Sequence, residues 1–260
     1  MKIVVCIKQV PDATNVRIDP KTNTLIRDGV ESIVNPFDEY ALEQALRIRD
    51  RIGAEVVVIS MGPPQAKAVL REALARGADR AFLVSSRAFG GADTLATAYT
   101  LSLAIRKALS GDMPDLVLFG KQAIDGDTAQ VGPGVSEFLG LKLVTYVREL
   151  KTDGRTFRAV SVMDDGERVV EGELPALMTV VKEADSPRFA SLAGAMSARL
   201  SPISVLDEKL LGADPRQIGL DGSPTKVVRI FPPPVRSGGR KIVWSADGEA
   251  LSEIMREIKA

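Results

Sequence analysis

Residues 114–141 read PDLVLFGKQAIDGDTAQVGPGVSEFLGL and gather the chain's best candidates for binding chemistry. Lys121, Gln122, Asp125, Asp127 and Thr128 lie between the apolar run 116–119 and a stretch whose apolar residues Val131, Val135, Phe138 and Leu139 have helical spacing. That order predicts a strand, a polar turn opening at Gly120, and a helix start. In open α/β sheets, ligands bind at the carboxyl ends of strands, where helix N-termini offer free N–H groups to phosphate oxygens. The chemistry these residues suggest is therefore nucleotide binding. Two carboxylates in a phosphate loop would repel the ligand. Asp125 and Asp127, with Gly126 between them, are expected to serve hydroxyls, ring nitrogens or orphan backbone amides, leaving backbone N–H groups and Thr128 for the phosphates. Pro133 cannot donate an i to i−4 hydrogen bond, so the helix is expected to begin late or to bend near Gly132. The bare pattern also describes an ordinary strand-to-helix connection with a capping Asp.

The elements that must position this turn surround it. Runs 2–7 (KIVVCI), 55–60 (EVVVIS), 80–84 and 115–119 are almost continuously apolar, as in parallel strands buried on both faces. Between them, Asn35 can cap a helix with Pro36 at its first position, Asp38 and Glu39 in its first turn, and Phe37, Ala41, Ala45, Ile48 and Ile52 inward. A second helix over 64–76 turns Ala66, Val69, Leu70, Ala73 and Leu74 inward and stops at Gly77. A third starts after Asp93 or Thr94 and uses Leu95, Ala98, Ser102, Ile105 and Leu109. Alternating strands and helices predict a doubly wound, mostly parallel α/β sheet. Further strand-to-helix junctions fall at the same sheet edge as the central turn. Lys8, after the first strand, is placed to contact phosphate, to pair with an acid, or simply to be a surface charge. Gly90-Gly91-Ala92-Asp93-Thr94 is a second glycine loop before a helix, without G-x-G-x-x-G spacing. Residues 12–35 read as a polar excursion with a small hairpin through 16–18 and 24–26.

Composition removes several function classes. Lys plus Arg and Asp plus Glu both count 34 among 260 residues, so no basic surplus argues for nucleic acid. The chain has no histidine, which disfavours hydrolase triads and zinc sites. A lone cysteine, Cys6, excludes an internal disulfide. No signal-peptide pattern and no apolar run near membrane-span length is present, so a soluble, cytoplasmic protein without direct membrane insertion is expected.

After Leu141 the apolar period shifts towards two. Runs 144–150, 156–163, 168–172 and 178–181, the first three separated by Asp153-Gly154 and Asp165-Gly166, read as antiparallel strands extending the sheet. Residues 183–199 hold Ser186-Pro187-Arg188-Phe189 and a short amphipathic piece exposing Leu192 and Met196, either a packing plug or a probe for a partner. Beyond Ser201 periodicity is lost through Gly212, Pro215, Gly219, Gly222, Pro224, Pro232-Pro233-Pro234 and Gly238-Gly239, as in an extended arm. A helix over about 247–259, with Leu251, Ile254, Met255 and Ile258 on one face, needs a partner to cover it.

With these residues in view, the chain resembles the β subunit of electron-transferring flavoproteins over essentially its whole length. The segments KIVVCIKQVPD, NPFDEYALEQAL, VISMGPPQA, GKQAIDGDTAQVGP and SPRFASL stand in family order. The resemblance implies an α/β fold of the adenine-nucleotide-binding type over 1–200, an arm and helix over 201–260 packing on an FAD-bearing α subunit, and an adenine nucleotide held by this chain. It implies that Cys6, Asn35, Pro36, Phe37, Asp38, Met61 and the loop Gly120, Lys121, Gln122, Ala123, Ile124, Asp125, Gly126, Asp127, Thr128, Ala129, Gln130 and Val131 surround that nucleotide. Leu192 falls at the anchor position of a recognition loop, 186–196, for docking dehydrogenases.

Conventional members carry a third Asp where this chain has Gly126 and bind AMP as a structural ligand. The loop DGDTAQVGP, together with AFGGADTLAT over 88–97, instead resembles the electron-bifurcating branch. There the β subunit carries a second FAD and accepts hydride from NADH. One electron goes to ferredoxin or flavodoxin, and the other to the α-subunit FAD and a quinone-linked or acyl-CoA-type partner. Glycines 90, 91 and 126 would let backbone approach a large ligand. A flavin supplies its own redox chemistry, so the missing histidine is no obstacle. The alternatives are a conventional subunit with AMP and a stand-alone ATP-binding protein, the latter disfavoured because GxxxxGK[ST] is absent.

Overall fold

The computed structural model describes residues 1–12, 17–18, 25–26, 32–226 and 249–258. In chain order the first half runs β1 (Lys2–Cys6), β2 (Gln9–Pro11), the small antiparallel pair β3 (Arg17–Ile18) and β4 (Leu25–Ile26), then β5 (Ser32–Val34), antiparallel to β2. It continues through α1 (Pro36–Ile52), β6 (Glu55–Met61), α2 (Lys67–Arg76), β7 (Arg80–Val84), α3 (Thr94–Ala108), β8 (Leu116–Gly120) and α4 (Val131–Leu139). The second half holds β9 (Lys142–Thr152), β10 (Thr156–Met163), β11 (Gly166–Glu173), β12 (Ala176–Val180), α5 (Leu192–Leu200), β13 (Ile203–Leu206), α6 (Glu208–Leu211) and α7 (Glu249–Ile258).

Nine strands form one sheet in the order β11-β10-β9-β12-β8-β1-β6-β7-β13. The continuous apolar runs become its centre: Ile3, Val4, Val5, Val57, Val58, Val117 and Leu118 are fully buried, because helices cover both faces. Side chains alternate between two cores. Ile3 and Val5 meet the helices α1 and α2, while Val4 and Cys6 meet α3 and α4. This is the doubly wound, mostly parallel sheet that the alternating pattern predicts.

Several local expectations need correction. Within the nine-stranded sheet the antiparallel pairings are confined to β9–β10 and β10–β11; the strand expected at 178–181 is β12, parallel to both β8 and β9 and buried along its whole length. The stretch after Ser201 is not arm from its start: Ile203–Leu206 adds a parallel edge strand to β7, and the chain divides into compact units at Met1–Lys226 and Val227–Ala260. Ile52 and Leu95, read as positions on the apolar faces of their helices, are exposed, and so is Phe138 of the helical spacing after the central turn. α4 neither begins late nor bends at Gly132: it starts at Val131, and Pro133 sits in the first turn, where no intrahelical N–H bond is needed. Val16 and Thr24 of the expected hairpin, and 232–234 and 238–239 of the arm, lie outside the described residues.

Candidate nucleotide site at the sheet switch point

From β1 the chain builds β6 and β7 to one side, then returns to place β8 on the other. The carboxyl ends of β1 and β8 therefore flank the topological switch point, the crevice where doubly wound sheets bind ligands. Lys8 leaves β1 there and Gly120 ends β8 there.

The first turn of α1 clamps the crevice. The buried Asp38 carboxylate accepts from the Lys8 backbone N–H at 2.7 Å and from the Gly120 N–H at 3.1 Å, so one side chain joins the ends of both strands. Burial pushes its pKa up to about 7, although Asn35 and these two amides pull it down. A Cβ on Gly120 would lie 2.4 Å from Asp38 Oδ1 and 2.6 Å from the Phe37 carbonyl carbon, so only glycine lets α1 come this close. Asn35 starts α1 but its side chain does not cap it. Its Nδ2 donates to the Gln122 carbonyl at 2.8 Å, and its Oδ1 accepts from the Ile124 N–H at 3.1 Å, which fixes the loop backbone beyond β8.

Within the loop the two acids are turned onto internal partners. Lys8 Nζ donates to both oxygens of Asp125, at 2.7 and 2.8 Å, and Gln122 Nε2 donates to Asp127. Lys121 lies over the Tyr146 ring at 5.1 Å. The Gly126 and Asp127 amides close onto the Ala123 carbonyl. Thr128 and Ala129, by contrast, make no hydrogen bond among the described residues. Asp127 and Ala129 both have φ of +55°, left-handed backbone that non-glycine residues rarely adopt. Ala129 is followed by Gln130 with φ −99° and ψ −24°, at the threshold of α4. Left-handed followed by right-handed backbone turns successive N–H groups toward one point, a nest for an anion. Gly126 faces open space, with nothing within 4 Å of a Cβ added there. Thr94 Oγ1 donates to Gln130 Oε1 at 3.1 Å, bringing the start of α3 to the same loop.

The other expected residues lie beneath or beside this network. Cys6 is buried at the end of β1, and burial raises its thiol pKa far above the usual range. Met61 packs half-buried in the same core, and Pro36 and Phe37 form the clamp's turn with Asp38. Asp93 is the α3 cap, accepting from the Leu95 and Ala96 amides at 3.0 and 3.1 Å. It also accepts from the amide and hydroxyl of Thr225. Gly91, φ +74°, packs beside Leu220, so the Gly90-Gly91 turn seats the chain segment near 220 in this structure.

Leu192 and Met196 stand away from the crevice, on α5. They are 80% and 63% exposed, beside Phe189 at 96% and Leu200 at 89%. The group that fixes this segment was missed in the sequence: Glu43, buried in α1, receives Arg188. A charged residue flanked by the inward Leu42, Ala45 and Leu46 was the available signal, since a buried charge requires a partner. Among the described residues no cluster of three or more His, Cys, Asp or Glu side chains is placed to hold a metal, and no helix is long and apolar enough to cross a membrane.

Comparison with known proteins identifies the chain's family. Residues 22–211 match the electron transfer flavoprotein domain family. The chain is 48% identical, over its whole length and 98% of the relative, to the caffeyl-CoA reductase-Etf complex subunit CarD of Acetobacterium woodii. It is 47% identical, with the same coverage, to the electron transfer flavoprotein subunit beta of Megasphaera elsdenii. It is 45% identical to Protein FixA of Azotobacter vinelandii, covering 96% of this chain and 90% of that one.

Proposed function

The chain belongs to the electron transfer flavoprotein family, and from that premise we propose that it is the β subunit of an electron-bifurcating heterodimer that binds FAD in the β1–β8 crevice and oxidises NADH. Bound there, FAD would supply the hydride acceptor and the division of the electron pair between ferredoxin or flavodoxin and the α-subunit FAD, which serves a quinone-linked or acyl-CoA-type partner. The reductase in the name of the Acetobacterium relative supports an acyl-CoA partner.

The observation that carries the reading is the loop 121–131. Lys8 neutralises Asp125, and Gln122 turns Asp127 onto an internal amide, so at most one unneutralised carboxylate remains in the loop that would face a pyrophosphate. The Thr128 hydroxyl and the amides leading into α4 are the donors left for phosphate oxygens. Asn35 and Asp38 fix the backbone around these donors beforehand, which lowers the ordering cost of binding. Gly126 leaves room for the rest of a dinucleotide where an acidic side chain would stand in a conventional subunit. On the same reading the protein is cytoplasmic, Leu192 and Met196 dock the electron partner, and the segment beyond Lys226 closes on the α subunit.

The anion nest would equally suit the single phosphate of AMP, and in that alternative the β chain serves structure and docking only. A cofactor count decides between them. Acid release and quantification from the co-expressed heterodimer is expected to give two FAD and no AMP; one FAD with one AMP overturns the bifurcating assignment.

A further inference from the structure

The exposed apolar segment around α5 is held at several points, and the most heavily bonded is buried. The Glu43 carboxylate accepts from the Arg188 backbone N–H at 3.0 Å, from Nε at 2.9 Å and from a terminal guanidinium nitrogen at 3.0 Å. The other terminal nitrogen of Arg188 reaches Asp50, about two turns further along α1, at 2.7 Å. Immediately before this point, Arg47 pairs with Asp185 at 2.5 Å, and Gln44 donates to the Ala184 carbonyl at 3.0 Å. Beyond it, Ser191 caps α5 by accepting from the Gly194 N–H, and Arg71 of α2 donates to the Ala198 and Ser201 carbonyls. Ala198 is the only residue of α5 that is buried. α5 itself lies close against α2, where a Cβ on Gly194 would collide with the Ala75 carbonyl oxygen, but the stretch 185–190 before it has no fully buried residue and depends on side-chain bonds.

We propose that the Glu43–Arg188 pair is a positioning device for electron-partner docking: it holds the segment after Arg188 on α1 so that Phe189, Leu192 and Met196 are presented together as a preformed apolar surface. The inference rests on the docking role given above to Leu192 and Met196. Glu43 touches neither nucleotide nor partner and acts through Arg188. Phe189 follows Arg188 directly and is the most exposed large apolar residue described, so its direction is set by the bonded arginine. The geometry fits a flavoenzyme offering an apolar socket. Preordering saves the entropy of fixing the surface at encounter and therefore acts on affinity, not on the electron-transfer step itself.

The test uses the co-expressed heterodimer, with an acyl-CoA dehydrogenase and its acyl-CoA substrate as the electron-exchanging probe. Glu43→Gln is expected to raise the KM for the heterodimer about tenfold with kcat within twofold, while flavin content stays at the wild-type level. Leu192→Ala is expected to raise KM as well. If Leu192→Ala raises KM and Glu43→Gln does not, the positioning role is overturned and the docking surface stands. If neither raises it, the docking reading fails, and the positioning role with it. Arg188→Lys keeps the charge but loses the fork, and is expected to give an intermediate KM. If both charge-pair variants lower flavin content and kcat along with affinity, the pair is merely structural and the proposal is overturned.

Discussion

Asp38 carries more of the site than any other side chain, because one carboxyl group holds the ends of two strands. It also makes the site pH-sensitive. Its pKa rises from 3.8 to about 7, chiefly through burial, so between those values the folded protein binds a proton that the unfolded chain has released. Stability from this group is therefore complete below about pH 4 and falls as pH rises through 7, by up to about 1.4 kcal/mol per unit. Asp38→Asn cannot titrate. Its amide also points a donor at the Lys8 or Gly120 N–H, a cost of about 1–3 kcal/mol. Urea unfolding at pH 5 and pH 8 is expected to show wild type exceeding the variant by more at the lower pH; a gap that is equal at both values, or widens with pH, would sink this account. At this scale the sequence was only partly legible. Spacing placed Gly120 at the central turn, but it read Asn35 and Asp38 only as a helix start, with Asn35 as a cap, when its amide is spent on the opposite loop. The family resemblance alone put them beside the nucleotide. Which partner a polar side chain takes depends on what the fold brings within about 3 Å, and periodicity carries no such information.

α1 is the element that turns the switch point into a site. Asn35 and Asp38 at its start hold the loop after β8, and Glu43 and Asp50 further along hold the segment before α5. Its start was readable because Asn-Pro fixes it, and in the structure Gly53, in left-handed conformation with φ +77°, ends it. β12 was misread for a physical reason. An apolar run is compatible with either direction, and only the path of the preceding hairpin through β10 and β11 decides that it enters parallel between β8 and β9. The division of labour along α1 predicts a separable effect for Asn35→Ala. Since Asn35 makes no cap bond, the helix itself should lose little, and the thermal midpoint should fall by only about 4–8 °C, the amount that the lost loop bonds account for. The loop, however, loses both hydrogen bonds that set the 122–124 backbone, together worth about 2 kcal/mol. Titration with FAD and with AMP is expected to show affinity weakened by about tenfold or more. A large loss of helix content at unchanged nucleotide affinity would reverse the assignment.

Across the whole molecule, the parallel sheet and its two cores account for the unit Met1–Lys226, and they follow from runs buried on both faces. The boundary was harder to see than the fold. Residues 203–206 are too few to show a period, yet they bury backbone donors and acceptors by pairing along β7. The unit Val227–Ala260 is different in kind. Its described element, α7, places Leu251, Ile254 and Met255 at i, i+3 and i+4, and these are 53, 39 and 45% exposed. Fully burying an exposed side chain of this size is worth about 1.5–3 kcal/mol and these are about half exposed, so a three-residue stripe can contribute about 2–4 kcal/mol to association with a second chain. The family's β subunits pair with α subunits, and the proposed docking of this stripe on the α subunit can be tested directly. Leu251→Asp combined with Ile254→Asp is therefore expected to leave the isolated chain folded by circular dichroism while weakening the heterodimer at least a hundredfold in sedimentation. An unchanged heterodimer would mean that α7 packs nowhere on the α subunit, and that association depends on the first unit alone.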